Sequence, residues 1–137
     1  MIFDVKTLAT VNLIIQALLL VTVLVAVYFA RKRQIDTHCK IVRIAVVIQL
    51  VSIFLIMLPL MLGYVKNPKP LPFQTEMLVH HSLGAIIILQ WVYINLAFMG
   101  RLKVLGRLTI FMRCALVMWV LVFLLGLYLY LQNYVLL

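Results

Sequence analysis

The chain has 137 residues, of which 67% are hydrophobic and 11% are charged, and its formal net charge is +9 at pH 7. A water-soluble fold of this size could not cover so many apolar side chains, whereas lipid solvates them without penalty. The composition therefore excludes an ordinary soluble domain and predicts an integral membrane protein. Because the basic residues cluster at predicted helix ends, the net charge indicates membrane topology, and no nucleic acid is expected as a partner.

Four apolar segments, each long enough to cross a bilayer as a helix, follow one another along the chain. They are residues 8–30, 41–65, 77–98 and 108–130. Since backbone groups in lipid must be hydrogen-bonded internally and the connectors are short, sequential helices are expected to be antiparallel neighbours. The predicted fold is all-α, a single transmembrane domain over residues 1–137 with the up-down antiparallel topology of a four-helix bundle. The first segment is too long for a cleaved signal peptide and is predicted to be a mature helix.

Lysine and arginine are unevenly divided between the predicted connectors. The connector after the first span and the helix start behind it hold Arg31, Lys32, Arg33, Lys40 and Arg43. The connector after the third span and the helix start behind it hold Arg101, Lys103, Arg107 and Arg113. The N-terminus and the second connector hold Lys6, Lys66 and Lys69. Since basic residues mark the cytoplasmic side of short loops, both termini are predicted to face outward, with anionic lipid headgroups as partners of the basic ends.

Few residues offer enzyme chemistry. Cys39 and Cys114 fall on the predicted cytoplasmic side, where thiols stay reduced, so no disulfide is expected. His38 beside Cys39 could form half of a metal site, but neighbouring helical residues point about 100° apart, which favours an interfacial histidine and an inert thiol. The chain has no phosphate loop, CxxC or nucleophile motif, and its carboxylates are too few for a bridged dimetal centre. The chain is therefore not expected to be an independent enzyme.

The most suggestive cluster lies at the start of the third span, after a proline-rich connector at residues 66–72 that is expected to be stiff and extended. Glu76 and His80 are four residues apart, so the carboxylate can orient the imidazole, as it does behind ligating histidines. Ionisable side chains within spans are costly and usually face a bundle interior or a cavity. His80 and His81 are therefore candidate ligands of haem iron or contacts of a quinone, with Glu76 tuning them. The alternative is that both rings are hydrated near the outer interface.

The three histidines are not expected to act together. His38 begins the second helix at the predicted inner face, whereas His80 and His81 begin the third at the outer face, about 30 Å away. A haem with two axial ligands from one chain would need a second ligand near the outer side. Met57 and Met61 are candidates, although packing is the commoner role of such methionines. A histidine from a second copy or a partner subunit is the other possibility.

Uncharged polar residues also lie within the predicted spans. Asn12 and Gln16 are one turn apart on the first helix, and Gln49 and Ser52 share a face of the second. Interhelical hydrogen bonds are the usual reason for such residues, and we expect the same of Gln90 and Asn95 in the third span. The alternative is that they line a quinone pocket together with Trp91 and the histidines. Gly84 and Gly126 would permit close helix approach or leave room for a flat ring.

Two short motifs carry a resemblance to a known family. Residues 32–40, Lys-Arg-Gln-Ile-Asp-Thr-His-Cys-Lys, resemble the basic entry to the second helix of the small bacterial and archaeal membrane proteins catalogued as domain of unknown function 420. Residues 81–85, His-Ser-Leu-Gly-Ala, resemble the opening of that family's third helix. Trp119, Gly126, Tyr128 and Tyr130 match the spacing of its last helix, so the resemblance covers the chain from about residue 29 onward. The family typically has a histidine and a threonine where this chain has Leu108 and Leu125.

The resemblance implies a protein of the cytoplasmic (inner) membrane of a prokaryote that is associated with the respiratory chain, since some relatives assist maturation of haem-copper cytochrome oxidases. It implies no catalytic reaction. In one interpretation the protein is an electron-transfer subunit or anchor that contacts haem b or a quinone through His80 or His81. In the other it is a non-redox assembly or structural factor for a cytochrome oxidase or another membrane complex. In either case the expected partner is a larger membrane protein complex or a second copy of the chain in a homo-oligomer. Leu108 in place of the family's histidine leaves the outer pair, rather than His38, as the candidate site.

Overall fold

The computed structural model describes residues 4–65, 74–101, 103 and 106–136. Helices account for most of these residues, and no strand occurs among them. The elements are α1 (Val5–Arg31), α2 (Ile35–Ser52), a π-helical turn (Ile53–Met57), α3 (Leu58–Val65), α4 (Gln74–Phe98) and α5 (Leu108–Tyr134). The π-helical turn joins α2 and α3 into one continuous helix. The prediction of an all-α fold is confirmed.

Four helices are long and apolar enough to cross a membrane. They cover Val5–Arg31, Ile35–Gly63, Thr75–Phe98 and Leu108–Tyr134. At 1.5 Å per residue they are about 36 to 44 Å long, which exceeds the hydrocarbon core of a bilayer. Their outward faces are apolar, as Leu55 at 71% exposure and Leu89 at 69% exposure illustrate. Such surfaces suit lipid and not water, so the chain is a multi-pass membrane protein.

Several helices extend beyond the predicted spans. The second begins at Ile35 and not at residue 41, and α5 continues to Tyr134 and not only to residue 130. Hydropathy marks where a segment leaves the hydrocarbon, whereas the hydrogen-bonded backbone continues through the polar residues of the headgroup region. The proline-rich connector at residues 66–72 lies outside the described residues.

The π-helical turn has a proline as its immediate cause. The N–H of Leu58 donates to the carbonyl of Ile53, five residues back. Pro59 comes next; it has no N–H to donate, and in a regular α-helix its ring would clash with the carbonyl of Leu55. Widening the preceding turn removes that clash, which is a known way for a helix to accommodate an interruption. The helix thus passes the proline without breaking.

The chain divides into two compact units, Met1–Leu71 and Pro72–Leu137. In the first, α1 packs against α2, and three side-chain hydrogen bonds join the two helices. The pairs are Ala26 with His38, Gln16 with Gln49, and Asn12 with Ser52. Residue numbers fall along α1 as they rise along α2, so the two helices are antiparallel, as predicted for sequential spans.

The second unit is the pair α4 and α5, which is also antiparallel. His80 meets Gly126 at one end, Trp91 meets Trp119 near the middle, and Tyr93 meets Phe111 farther along. The rings of Trp91 and Trp119 are 4.6 Å apart between centroids, and both side chains are buried. This aromatic contact helps to set the register of α4 on α5. The register in turn determines which residues of α5 lie opposite the histidines.

Candidate functional site

His80 lies in the interface between α4 and α5, where Gly126 makes room for its ring. A Cβ atom at position 126 would be 2.8 Å from Cε1 of His80, closer than carbon atoms pack without displacement. The backbone of Val122, one turn earlier on α5, lies beside the same ring. Gly126 was expected to permit close helix approach or to leave room for a flat ring. The ring beside it is the imidazole of His80.

One nitrogen of His80 is left without a partner. Its Nδ1 is buried and has no hydrogen bond within the described part of the chain. A buried polar atom that lacks a partner costs about 1–3 kcal/mol, and native structures keep few of them. His80 thus lies against α5 with one buried polar atom left without a hydrogen bond.

His81 has a different and more open environment. Its Nδ1 lies 2.8 Å from the carbonyl oxygen of Met77, one turn back on α4, and its ring is half-buried. Because a carbonyl can only accept, Nδ1 carries the proton, and in the neutral ring Nε2 carries the lone pair. A histidine whose Nδ1–H is bound by a carbonyl presents Nε2 to a metal ion or to a hydrogen-bond donor. His81 therefore has the tautomer of a ligand.

The two rings are adjacent but do not face one another. Their centroids are 5.4 Å apart, and their planes are inclined at 86°. Two axial haem ligands must approach the iron from opposite sides, which neighbouring residues of one helix cannot do. His80 and His81, which we call the histidine pair, therefore offer one ligand at a time to a planar group.

Glu76 does not have the orienting contact expected of it. Within the described residues, no hydrogen bond or ion pair joins its carboxylate to either ring of the histidine pair. The carbonyl of Met77 orients His81, and the backbone of Val122 holds His80. Glu76 lies in the first turn of α4, where a carboxylate is stabilised by the positive end of the helix.

The polar residues of the first unit behave as predicted. Nε2 of Gln16 donates to Oε1 of Gln49 at 2.7 Å, and Oγ of Ser52 donates to Oδ1 of Asn12 at 3.0 Å. Gln16, Gln49 and Ser52 are buried. These groups satisfy one another between helices, so they hold α1 to α2.

The polar residues of α4 do not follow the same rule. Asn95 donates from Nδ2 to the carbonyl of Trp91 at 2.8 Å, within its own helix, so the expected interhelical bond is not what the structure shows. Gln90 has a buried Oε1 with no hydrogen-bond partner within the described residues. Sequence spacing alone could not separate these residues from the paired glutamine of α2, because the register of two helices decides which polar groups meet.

His38 has a structural role in the first unit. Its Nδ1 lies 2.8 Å from the carbonyl oxygen of Ala26 on α1, and Ala26 is fully buried. The neighbouring Cys39 is half-buried, and Cys114 is exposed, both as free thiols. No group of three metal-ligating side chains occurs among the described residues. The metal site considered for His38 and Cys39 thus lacks the further ligands it would need from the described chain.

Comparison of the chain with protein-family models, with curated proteins and with solved structures finds no match. The fold and the site define a multi-pass, all-α membrane protein with a histidine pair at one end of the α4–α5 hairpin. Met57 lies in the π-helical turn and Met61 in α3.

Proposed function

We propose that the chain is a respiratory-chain-associated protein of a prokaryotic inner membrane, in which His81 contacts a haem b or a quinone. It would serve as an electron-transfer subunit or as an anchor beside a larger complex. The observation that carries this proposal is the bond from Nδ1 of His81 to Met77, which leaves Nε2 as a lone pair within a membrane span. The resemblance of residues 32–40 and 81–85 to the family catalogued as domain of unknown function 420 supports the respiratory association.

The two histidines take different parts in this proposal. His80 is seated against Gly126 and the backbone of Val122, so it is the positioning residue. His81 projects about 100° around the helix from it, toward Ala85 and Val92, which are exposed. A planar ligand can approach His81 along this exposed face of α4, whereas α5 covers the face that carries His80.

Haem and quinone would use the same atom. Nε2 of His81 can be an axial ligand of haem iron, or it can accept a hydrogen bond from a quinol hydroxyl. For haem, a second ligand would come from elsewhere, with a histidine of a second copy or of a partner subunit as the candidate. A quinone needs no second ligand.

The first experiment is an optical difference spectrum of the purified protein, reduced with dithionite against oxidised. Haem b bands are expected and should disappear in His81→Ala, while His38→Ala should keep them because its ring is bonded to Ala26. Ser82→Ala, at the exposed neighbour of His81, is the matched control. Glu76→Gln should have a smaller effect than His81→Ala, since no contact joins Glu76 to the pair.

If haem bands are lacking, a quinone titration monitored by tryptophan fluorescence tests whether the protein binds a quinone instead. Trp91 and Trp119 lie in the same hairpin as the histidines and can report binding by quenching. His81→Ala should abolish saturable quenching. Absence of both haem bands and saturable quinone binding would refute the redox proposal.

A second candidate function is a non-redox assembly factor for a cytochrome oxidase or another membrane complex. The exposed apolar surface of α4 favours this alternative, since only 11% of the residues in its most apolar 18-residue stretch are buried. Such a face can dock on another membrane helix by packing alone. Co-purification of an oxidase subunit with a protein that lacks both haem and quinone binding would support this alternative.

A further inference from the structure

The turn between α1 and α2 contains a backbone conformation that arginine rarely adopts. The N–H of Arg33 donates to the carbonyl of Ala30, and the N–H of Gln34 donates to that of Phe29, both at 3.0 Å. These two bonds form the Schellman motif that ends many helices. The motif places Arg33 in the left-handed region, with φ of 59°, where a side chain raises the free energy and glycine does not.

The second hairpin makes the same turn with glycine. The N–H of Gly100 donates to the carbonyl of Ala97 at 3.1 Å, and the N–H of Arg101 donates to that of Leu96 at 3.0 Å. Gly100 has a φ of 75°, so it occupies the position that Arg33 occupies in the first hairpin. The two turns thus have the same hydrogen bonds and the same left-handed position. Glycine occupies this position without strain in the second turn, whereas arginine is strained there in the first. Strain that a molecule tolerates at one of two equivalent positions indicates a role for that side chain.

The surroundings of Arg33 are strongly basic. Arg31, Lys32 and Arg33 are all exposed, and Lys40 and Arg43 are exposed on the first turns of α2. Asp36 is the one carboxylate in residues 31–43. The ammonium group of Lys32 lies 5.7 Å from the ring centre of Tyr28, which holds it at the end of α1. The turn therefore presents a concentrated positive charge where two membrane-length helices end.

Exposed apolar side chains adjoin this charge on both helices. Tyr28 is 56% exposed on α1, and Ile44 is 59% exposed on α2. A phospholipid has the matching chemistry, since its phosphate is anionic and its acyl chains are apolar. Inorganic phosphate would use the charge but not the apolar surface. Arginine suits the phosphate because its planar guanidinium donates two parallel hydrogen bonds.

We infer that the α1–α2 turn is a binding site for an anionic phospholipid, with Arg33 contacting the phosphate. The remaining cations of the turn strengthen the attraction, and the exposed faces of α1 and α2 accommodate the acyl chains. Each basic residue near a membrane surface contributes enough to change the affinity for an anionic lipid about fivefold. The inference does not depend on any cofactor at the histidine pair.

The test uses the full chain in phosphatidylcholine nanodiscs, with and without phosphatidylglycerol. Native mass spectrometry measures retained phosphatidylglycerol, and thermal unfolding measures the stabilisation that it gives. Arg33→Gly should be at least as stable as the wild type in the neutral lipid, because glycine relieves the strain, yet retain phosphatidylglycerol about fivefold less well. Arg101→Gln removes a charge from the other turn, where glycine already occupies the left-handed position, and should reduce retention less than Arg33→Gly does.

Arg33→Asn provides a second neutral variant, since asparagine tolerates the left-handed region, and it should behave as Arg33→Gly does. Inorganic phosphate added to the neutral nanodiscs should not stabilise the wild type. The inference is overturned if Arg33→Gly retains phosphatidylglycerol as the wild type does, or if Arg101→Gln loses as much. Stabilisation by inorganic phosphate equal to that by the lipid would also overturn it.

Discussion

Gly126 determines the room available to His80. Alanine at this position would place a methyl carbon 2.8 Å from Cε1 of His80, so the ring or the helix pair must move. Overpacking of this kind typically costs about 1–3 kcal/mol. We expect Gly126→Ala to lower the midpoint of thermal unfolding in detergent. Adding His80→Ala should recover most of the loss, because the methyl group then meets a smaller neighbour.

Gly84→Ala is the matched control for this prediction. A Cβ atom at position 84 meets no atom within 4 Å, and alanine is favoured over glycine in a helix by about 1 kcal/mol. The substitution should therefore be neutral or stabilising. An equal loss of stability in both variants would mean that glycine at position 126 matters for the helix and not for His80.

The histidine pair shows how far a sequence predicts a site. The sequence singled out His80, His81 and Glu76 because ionisable groups within spans are costly, and all three remain candidates. Which ring would enter the helix interface depends on Gly126, which is distant in sequence and becomes a neighbour only through the register of α5. The spacing of Glu76 and His80 permits a contact without requiring it, and the backbone of α5 holds the ring instead.

At the scale of the helices, the buried pair Gln16 and Gln49 supplies a test of what joins α1 to α2. Either single substitution by leucine leaves a buried amide without its partner, which is more costly than replacing both. We expect each single variant to lose stability and the double variant to regain part of it. Couplings of this kind in membranes average about 0.6 kcal/mol and reach about 1.7 kcal/mol. A double-mutant cycle in thermal or chemical unfolding measures the coupling.

Gln90 provides the contrast for this cycle. Its Oε1 is buried and unpartnered within the described residues, so Gln90→Leu removes an unsatisfied acceptor and should be neutral or stabilising. A loss of stability as large as that of Gln16→Leu would contradict this prediction and indicate that the amide of Gln90 makes a stabilising contact.

The helices also show which features a hydropathy pattern predicts. The four spans were identifiable because apolar residues and charges are separated so sharply. The start of α2 at Ile35 was not predicted, because the residues that follow Ile35 are polar. Such residues are nevertheless compatible with a helix in the headgroup region. The π-helical turn was missed although Pro59 is visible in the sequence. A proline within a span can produce a kink, a bulge or a break, and packing selects among them.

At the scale of the whole molecule, the two hairpins share one charge pattern. Each turn that joins a helix pair is basic, with Arg31, Lys32 and Arg33 in the first and Arg101, Lys103 and Arg107 in the second. Since basic residues mark the cytoplasmic side of short loops, this charge pattern predicts that both turns face the cytoplasm. With four candidate spans, the same pattern predicts that both termini lie on the opposite side.

The final prediction is therefore that both termini and residues 66–72 lie outside the cytoplasm. In a variant without Cys39 and Cys114, a membrane-impermeant maleimide added to intact cells should label Asn67→Cys and not Asp36→Cys. Permeabilised cells should label both, which controls for access to the exposed position 36. In the native chain, Cys39 should likewise resist labelling from outside. The reverse pattern would put the histidine pair at the cytoplasmic surface and the basic turns in the outer leaflet, contrary to the distribution of lysine and arginine.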